Sequence, residues 1–261
     1  SIIELREGLE LPQTVVELYH EATKAMLARA GGGTGAMGLR PLLQACFFEA
    51  HVQQARVITS EHLEAASRRV GDPRALLLLK ERVIADRMPL LSLLQASPLQ
   101  LQAAHLSFQE FFACQAICEG ATPPLPPWAL PAWWANTMRL GTEMSAAFGK
   151  GLARAAGEKL SGRSVRLTLS GDDDTSSTAI GLALRAATQV EVVQVAPSRH
   201  SVNVGQLRRG TAVHLDWSRS RATDGDLRML AAFAHGFVRL ESLSLSRTEV
   251  GLGGVAAVIG L

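Results

Sequence analysis

The chain has 261 residues, 47% of them hydrophobic and 19% charged, with a net charge of +2. Such a chain can bury a core, which excludes a disordered tail, and its near-neutral balance without a basic block argues against nucleic acid as partner. Three cysteines are too few and too uneven for a disulfide scaffold and fit a reducing, cytoplasmic setting, while no run of about 18 apolar residues is present to span a membrane.

The first predicted helix covers Gln13 to Arg29. Thr14 and Glu17 have capping-box spacing, and Val15, Leu18, Tyr19, Ala22 and Met26 recur at helical intervals. Gly31 to Gly38 reads as a linker. A second helix opens near Pro41 and carries Leu42, Leu43, Cys46, Phe47 and Ala50, and Val57-Ile58 reads as a very short strand. Thr59 caps a third helix ending at Val70 before Gly71. Asp72-Pro73, a cap followed by proline at the first helical position, starts a fourth toward Asp86. Leu90–Gln95 and Leu99–Ala104 flank Ala96-Ser97-Pro98 and read as a hairpin, with a short helix as the alternative. Ser107 and Glu110 have the spacing of a second capping box, opening a helix with Phe108, Phe111, Phe112 and Ile117. Helices, a hairpin and a further helix follow the order of a winged helix.

From Thr122 to Pro131 five prolines fall in ten residues, a rigid connector beside Trp128, Trp133 and Trp134 that these tryptophans are expected to staple to a neighbouring domain. Beyond it an apolar-x-apolar core recurs at Leu167/Leu169, Val193/Val195, Leu215/Trp217 and Leu243/Leu245. The intervals of 26, 22 and 28 residues lie in the leucine-rich-repeat range. Asp172, Ser198, Ser220 or Thr248 follows each core by three residues, where a small polar side chain bonds the turn. Helical stretches (Ala179–Ala187, Gly225–His235, Gly253–Leu261) lie between or after the cores, giving the strand-plus-helix unit of a solenoid. Its strands would present Arg166, Thr168, Val192, Gln194, His214, Asp216, Ser242 and Ser244 on one face, a polar, mixed-charge surface suited to a protein partner. The fold class is thus a mainly α helical and winged-helix region followed by an α/β leucine-rich-repeat solenoid. Four segments are expected: 1–37 as a small helical remnant, 38–119 as the winged helix, 120–162 as the connector and second helical region, and 163–261 as the repeats. Neither Ser1 nor the apolar Val258-Ile259-Gly260-Leu261 looks like a natural terminus, so the chain reads as a fragment.

Chemistry-bearing motifs are sparse. The glycine-rich stretch from Gly31 lacks the Lys and the following Ser/Thr of a P-loop, and no acidic strand end of Walker B type is present, so no ATP hydrolysis is expected of the chain alone. Cys114 and Cys118 lack further ligands for zinc. Asp172-Asp173-Asp174 lacks the turn glycine of a calcium loop and reads as a solvated loop; no metal is expected. Glu61 and Glu64 on the third helix offset Arg68 and Arg69, against DNA binding. His105 lies just before the helix that Ser107 is expected to cap, beside free N–H groups and a partial positive charge that suit an anion.

His105-Leu-Ser-Phe-Gln-Glu-Phe-Phe-Ala-Cys114 resembles the winged-helix signature of NACHT/NLR-type STAND ATPases, roughly F-x-H-x-[ST]-F-Q-E-F-F-A-A. Ala103 stands where the family commonly has an aromatic residue, and Cys114 replaces the final Ala. Leu11-Pro12 through Leu18-Tyr19 resembles the segment that opens the small helical domain after the family's ATPase core. The resemblance implies that His105 contacts the β-phosphate of ADP held by an ATPase module elsewhere in a parent protein, keeping a closed resting state. It implies ADP or ATP with Mg for that parent and no cofactor for this fragment. As partners it implies the absent ATPase module in cis, a protein bound by the repeats, and other copies of the chain on activation. A leucine-rich-repeat adaptor without a nucleotide role is the alternative.

Overall fold

The computed structural model describes residues 12–30, 38–168, 174–196 and 200–259. Leu11, the glycine-rich stretch 31–37, Leu169, Asp172, Asp173 and Ser198 lie outside them. The described residues are mainly helical with three small sheets, and none of their helices is long and apolar enough to cross a membrane. Those up to Ala113 form one compact unit and those from Cys114 form another.

The first unit begins with α1 (Val15–Arg29). Thr14 Oγ1 accepts from the Glu17 N–H at 3.1 Å, while Glu17 Oε2 reaches back to the N–H of Gln13 at 2.7 Å, one residue before the expected Thr14. At the other end Arg82 donates to the Ala30 carbonyl at 2.9 Å, satisfying an acceptor that the helix leaves open. Helix α2 (Arg40–Val52) is buried around most of its circumference, as a sequence apolar on every side requires. Strand β1 (Val57–Thr59) leads into α3 (Ser60–Val70), where the Thr59 N–H donates to His62 Nδ1 at 3.0 Å. Gly71 closes α3 at φ 74°, a left-handed conformation that glycine adopts without a Cβ penalty. Asp72 Oδ1 accepts from the N–H groups of Arg74 and Ala75, each at 3.0 Å, and opens α4 (Pro73–Ile84).

Strands β2 (Leu91–Ala96) and β3 (Leu99–Ala103) form the antiparallel hairpin rather than a helix. β1 joins the free edge of β3, placing Ile58 opposite Leu101, both fully buried. Helix α5 (Leu106–Cys118) follows, and the boundary between the units falls within it.

In the second unit the proline-rich segment forms single 3-10 turns at Pro127–Ala129 and Ala132–Trp134. Trp134 is buried, and the first turn packs on two helices of the same unit, α7 and α8. Next come α6 (Ala135–Met144), α7 (Ala146–Ala156), β4 (Ser164–Thr168), α8 (Asp174–Ala186), β5 (Val192–Ala196), β6 (His200–Val202) and α9 (Val204–Arg209). The unit closes with β7 (His214–Asp216), α10 (Asp224–Ala231), β8 (Ser242–Ser244) and α11 (Leu252–Ile259). Helix α8 is the hub, packing on α6, α7 and α10.

One side chain closes α8. Arg208 donates to the carbonyls of Leu184, Arg185, Ala187, Thr188 and Val190 at 2.9–3.2 Å, satisfying acceptors at the helix end and in the turn beyond it. Gly181 sets the closest approach to α10, since a Cβ there would lie 2.4 Å from the Met229 carbonyl oxygen. Gly181→Ala is therefore expected to cost roughly 1–3 kcal/mol by overpacking, read as a lower urea midpoint with an unchanged slope.

The four apolar cores do not share one ladder. β4 and β5 pair in parallel, with Arg166 opposite Gln194, but β6 takes the other edge of β5 in antiparallel sense. β7 and β8 pair in parallel as a separate sheet. The continuous four-strand face expected from the spacing is thus divided in two.

Burial holds the His51 imidazole, fully inaccessible on α2, down to about 4 from its ordinary 6.5. Below pH 6.5 the unfolded chain therefore binds a proton that the folded chain refuses. The stability difference is absent above pH 6.5, grows as pH falls toward 4 and levels off below, reaching about 3 kcal/mol. Urea unfolding at pH 7 and pH 4.5 is expected to show this acid loss, and His51→Leu to flatten it.

Candidate functional site

His105 immediately precedes the first residue of α5 and caps the helix itself. Its Nδ1 accepts from the Ser107 N–H at 3.2 Å, with Ser107 Oγ against the same nitrogen. Its carbonyl accepts from the Phe108 N–H at 3.0 Å. The expected Ser107 cap is thus corrected: Ser107 lies inside the first turn, and the imidazole does the work of the usual cap oxygen. A backbone N–H can only donate, so Nδ1 is the acceptor and the neutral ring carries its hydrogen on Nε2.

The rest of the segment explains why that ring faces outward. Phe108 meets Tyr19 of α1 edge-on at 5.8 Å, and Phe111 stacks on the same ring at 5.6 Å. Phe112 stacks on Phe47 of α2 at 5.2 Å. Gln109 donates to the Ala55 carbonyl at 2.9 Å. Every residue from Leu106 to Cys114 is buried or half-buried, and His105 alone is exposed. The aromatic residues fix the helix, and the helix end presents an N–H donor to solvent.

In the second unit the side chains expected on the strand face lie in register pairs. Arg166 donates to Gln194 Oε1 from Nε at 3.3 Å and from Nη2 at 3.1 Å. His214 Nδ1 lies 2.8 Å from Ser242 Oγ, and Asp216 stands opposite Ser244. Thr168 pairs with Ala196 through the backbone. Hydroxyl and N–H donors from Ser218, together with the Ser244 hydroxyl and the charge of Arg219, hold the Asp216 carboxyl below its usual range. The structure therefore joins Arg166 with Gln194 and places His214 and Asp216 beside Ser242 and Ser244, as two patches. Two turn residues also act as the spacing suggested: Ser220 Oγ accepts from the Ala222 N–H at 3.2 Å, and Thr248 donates to the Leu245 carbonyl at 2.7 Å.

Beside β7 lies a cavity of about 500 Å³ lined by His200, Asp216, Trp217, Arg219, Arg221 and three serines. At its base is the buried His200, whose Nε2 lies 3.9 Å from Oδ1 of the buried Asp226 and whose imidazole rests 4.3 Å from the Trp217 ring. Neither nitrogen of His200 has a hydrogen-bond partner. Asp226 Oδ2 accepts from the Thr223 N–H at 2.8 Å and so caps α10. Asp216, Arg219 and Arg221 supply charges of both signs around this base, a surface that can seat a polar partner group.

Sequence reasoning missed His200, Asp226 and the arginines beside β7. Thr223-x-x-Asp226 carries a readable capping-box spacing, whereas His200 stands in no periodic pattern.

Comparison with family models, with curated proteins and with solved structures returns no match.

Burial lowers the pKa of His200, and Asp226 opposes the shift. The imidazole is therefore expected to titrate below 6.5 by NMR. Asp226→Asn, which removes the opposing charge but can keep the cap, is expected to move it lower still; an upward move would contradict the arrangement.

Proposed function

We propose that the chain is the regulatory and sensing segment of a NACHT/NLR-like signalling ATPase. In this reading residues 38–119 act as its winged helix and the strand–helix region after residue 163 as its leucine-rich repeats. The observation that carries it is the His105 ring, the exposed member of an otherwise buried motif, pinned at a helix N-terminus with Nε2–H outward. The order of α2, β1, α3, α4, the β2–β3 hairpin and α5 supports the winged-helix assignment. The parallel pairs β4–β5 and β7–β8, each with a helix between its strands, support the repeats.

The mechanism is a two-state switch. ADP in the parent's ATPase module presents a phosphate oxygen to Nε2–H, and the helix N-terminus adds its partial positive charge. Such a charge-assisted hydrogen bond contributes roughly 1.5–3 kcal/mol. Made only in the closed state, it biases that state about tenfold or more. Exchange to ATP removes the contact and frees a surface for assembly. The divided strand face and the cavity beside β7 are the regions for a protein partner.

A second reading, a leucine-rich-repeat adaptor without nucleotide, draws on the same bond, because capping by itself accounts for a histidine at this position. Asparagine separates the two, since its side chain caps a helix but offers no Nε2–H. In the full-length parent, His105→Asn is expected to raise basal oligomer on size-exclusion chromatography about tenfold while thermal stability holds. His105→Ala is expected to do the same and also lose about 1 kcal/mol of stability. A His105→Asn variant that stays as monomeric as the wild type would leave the adaptor reading.

A further inference from the structure

The helical side of the second unit holds another cavity of about 500 Å³, lined by residues of its helices and not of its strands. That volume lies in the range of small-molecule pockets. Leu182, Ala232 and Ala257 give it apolar wall, and Arg185, Arg228 and His235 stand around it. No Asp or Glu lines it among the described residues. The Arg185 guanidinium reaches the end of α10, where Nη1 lies 3.4 Å from the carbonyl of Ala232, the residue that follows the helix, and it makes no ion pair among the described residues. Arg228 Nη2 pairs with Asp224 Oδ2 at 4.0 Å, and Asp224 Oδ1 accepts from the Gly251 N–H at 2.6 Å. His235 is held below its ordinary range by burial and by the Arg185 charge, which favours the neutral ring beside that cation. Asp224 offsets one of the two guanidinium charges, so the balance is positive through Arg185, and the lining beside it is aliphatic.

We propose that this cavity binds a small monocarboxylate with an apolar body, its carboxylate on Arg185 and Arg228 and its chain against Leu182, Ala232 and Ala257. Charge complementarity selects the anion, because guanidinium forks match a carboxylate. The aliphatic wall selects a hydrocarbon body over a bare ion, because burying methylenes is favourable.

Isothermal titration of the whole chain with sodium octanoate, octan-1-ol and sodium acetate at neutral pH tests this. Octanoate is expected to saturate at one site, with octan-1-ol and acetate each weaker by about tenfold or more. Arg185→Gln is expected to weaken octanoate about tenfold and leave octan-1-ol unchanged. Ala257→Phe, on the last helix, is expected to block octanoate by filling the cavity, with circular dichroism confirming that both variants fold. Equal binding of octanoate and octan-1-ol, equal binding of octanoate and acetate, no saturable binding, or octanoate binding indifferent to both folded variants would each overturn the proposal.

Discussion

The hydrogen bond from the Ser107 amide to His105 Nδ1 is the constraint on which the functional account depends. A helix N-terminus leaves backbone donors without partners, and here an imidazole takes one of them. That single bond fixes which nitrogen is an acceptor, where the ring's hydrogen sits and which way it points. It holds only because α5 itself is held, by Phe108 and Phe111 on Tyr19 and by Phe112 on Phe47. Packing of these rings thereby helps set the direction of a polar group at the helix end. At the start of α3 an imidazole is used in the opposite sense: His62, inside the first turn, accepts from the N–H of the cap residue Thr59, and there the ring is buried and its Nε2 meets no partner. An imidazole at a helix start is thus a core residue in one helix and an exposed one in the other.

The second unit rests on a different closure. Arg208 gathers five carbonyls around the end of α8, and burial lowers its pKa. With its C-terminus closed and its middle free of side-chain bulk at Gly181, α8 can pack on α6, α7 and α10. The sheets obey a separate constraint. β6 satisfies the edge of β5, so the ladder stops there, and β7 begins a new pair with β8. Side chains expected to share one surface therefore form two patches, and the cavity beside β7 stands next to the second of them.

Much of this was legible wherever a local signal has a local cause. Thr14, Thr59, Gly71 and Asp72-Pro73 marked helix ends correctly because caps depend on a few adjacent residues. The hairpin was legible from its two apolar runs. Misreadings came where the partner is unusual or distant. Ser107-x-x-Glu110 has capping-box spacing, but a histidine two residues earlier took the Ser107 amide and moved the helix start forward. The 22-residue interval between the second and third cores hid β6 and α9, so the ladder was drawn as continuous. His200 had no signal of its own; Trp217 and Asp226 meet it only in the folded chain. The tryptophans beside the prolines were expected to staple the connector to a neighbouring domain; of them Trp134 is buried.

The most direct test is the tautomer of His105, read from long-range proton–nitrogen correlations of histidine-labelled chain with the ring neutral. The account predicts a bare Nδ1 and a protonated Nε2, locked rather than averaged. A hydrogen on Nδ1, or the averaged signature of a freely exchanging ring, would contradict it, because the outward N–H that the proposed phosphate contact requires would then not be held in place.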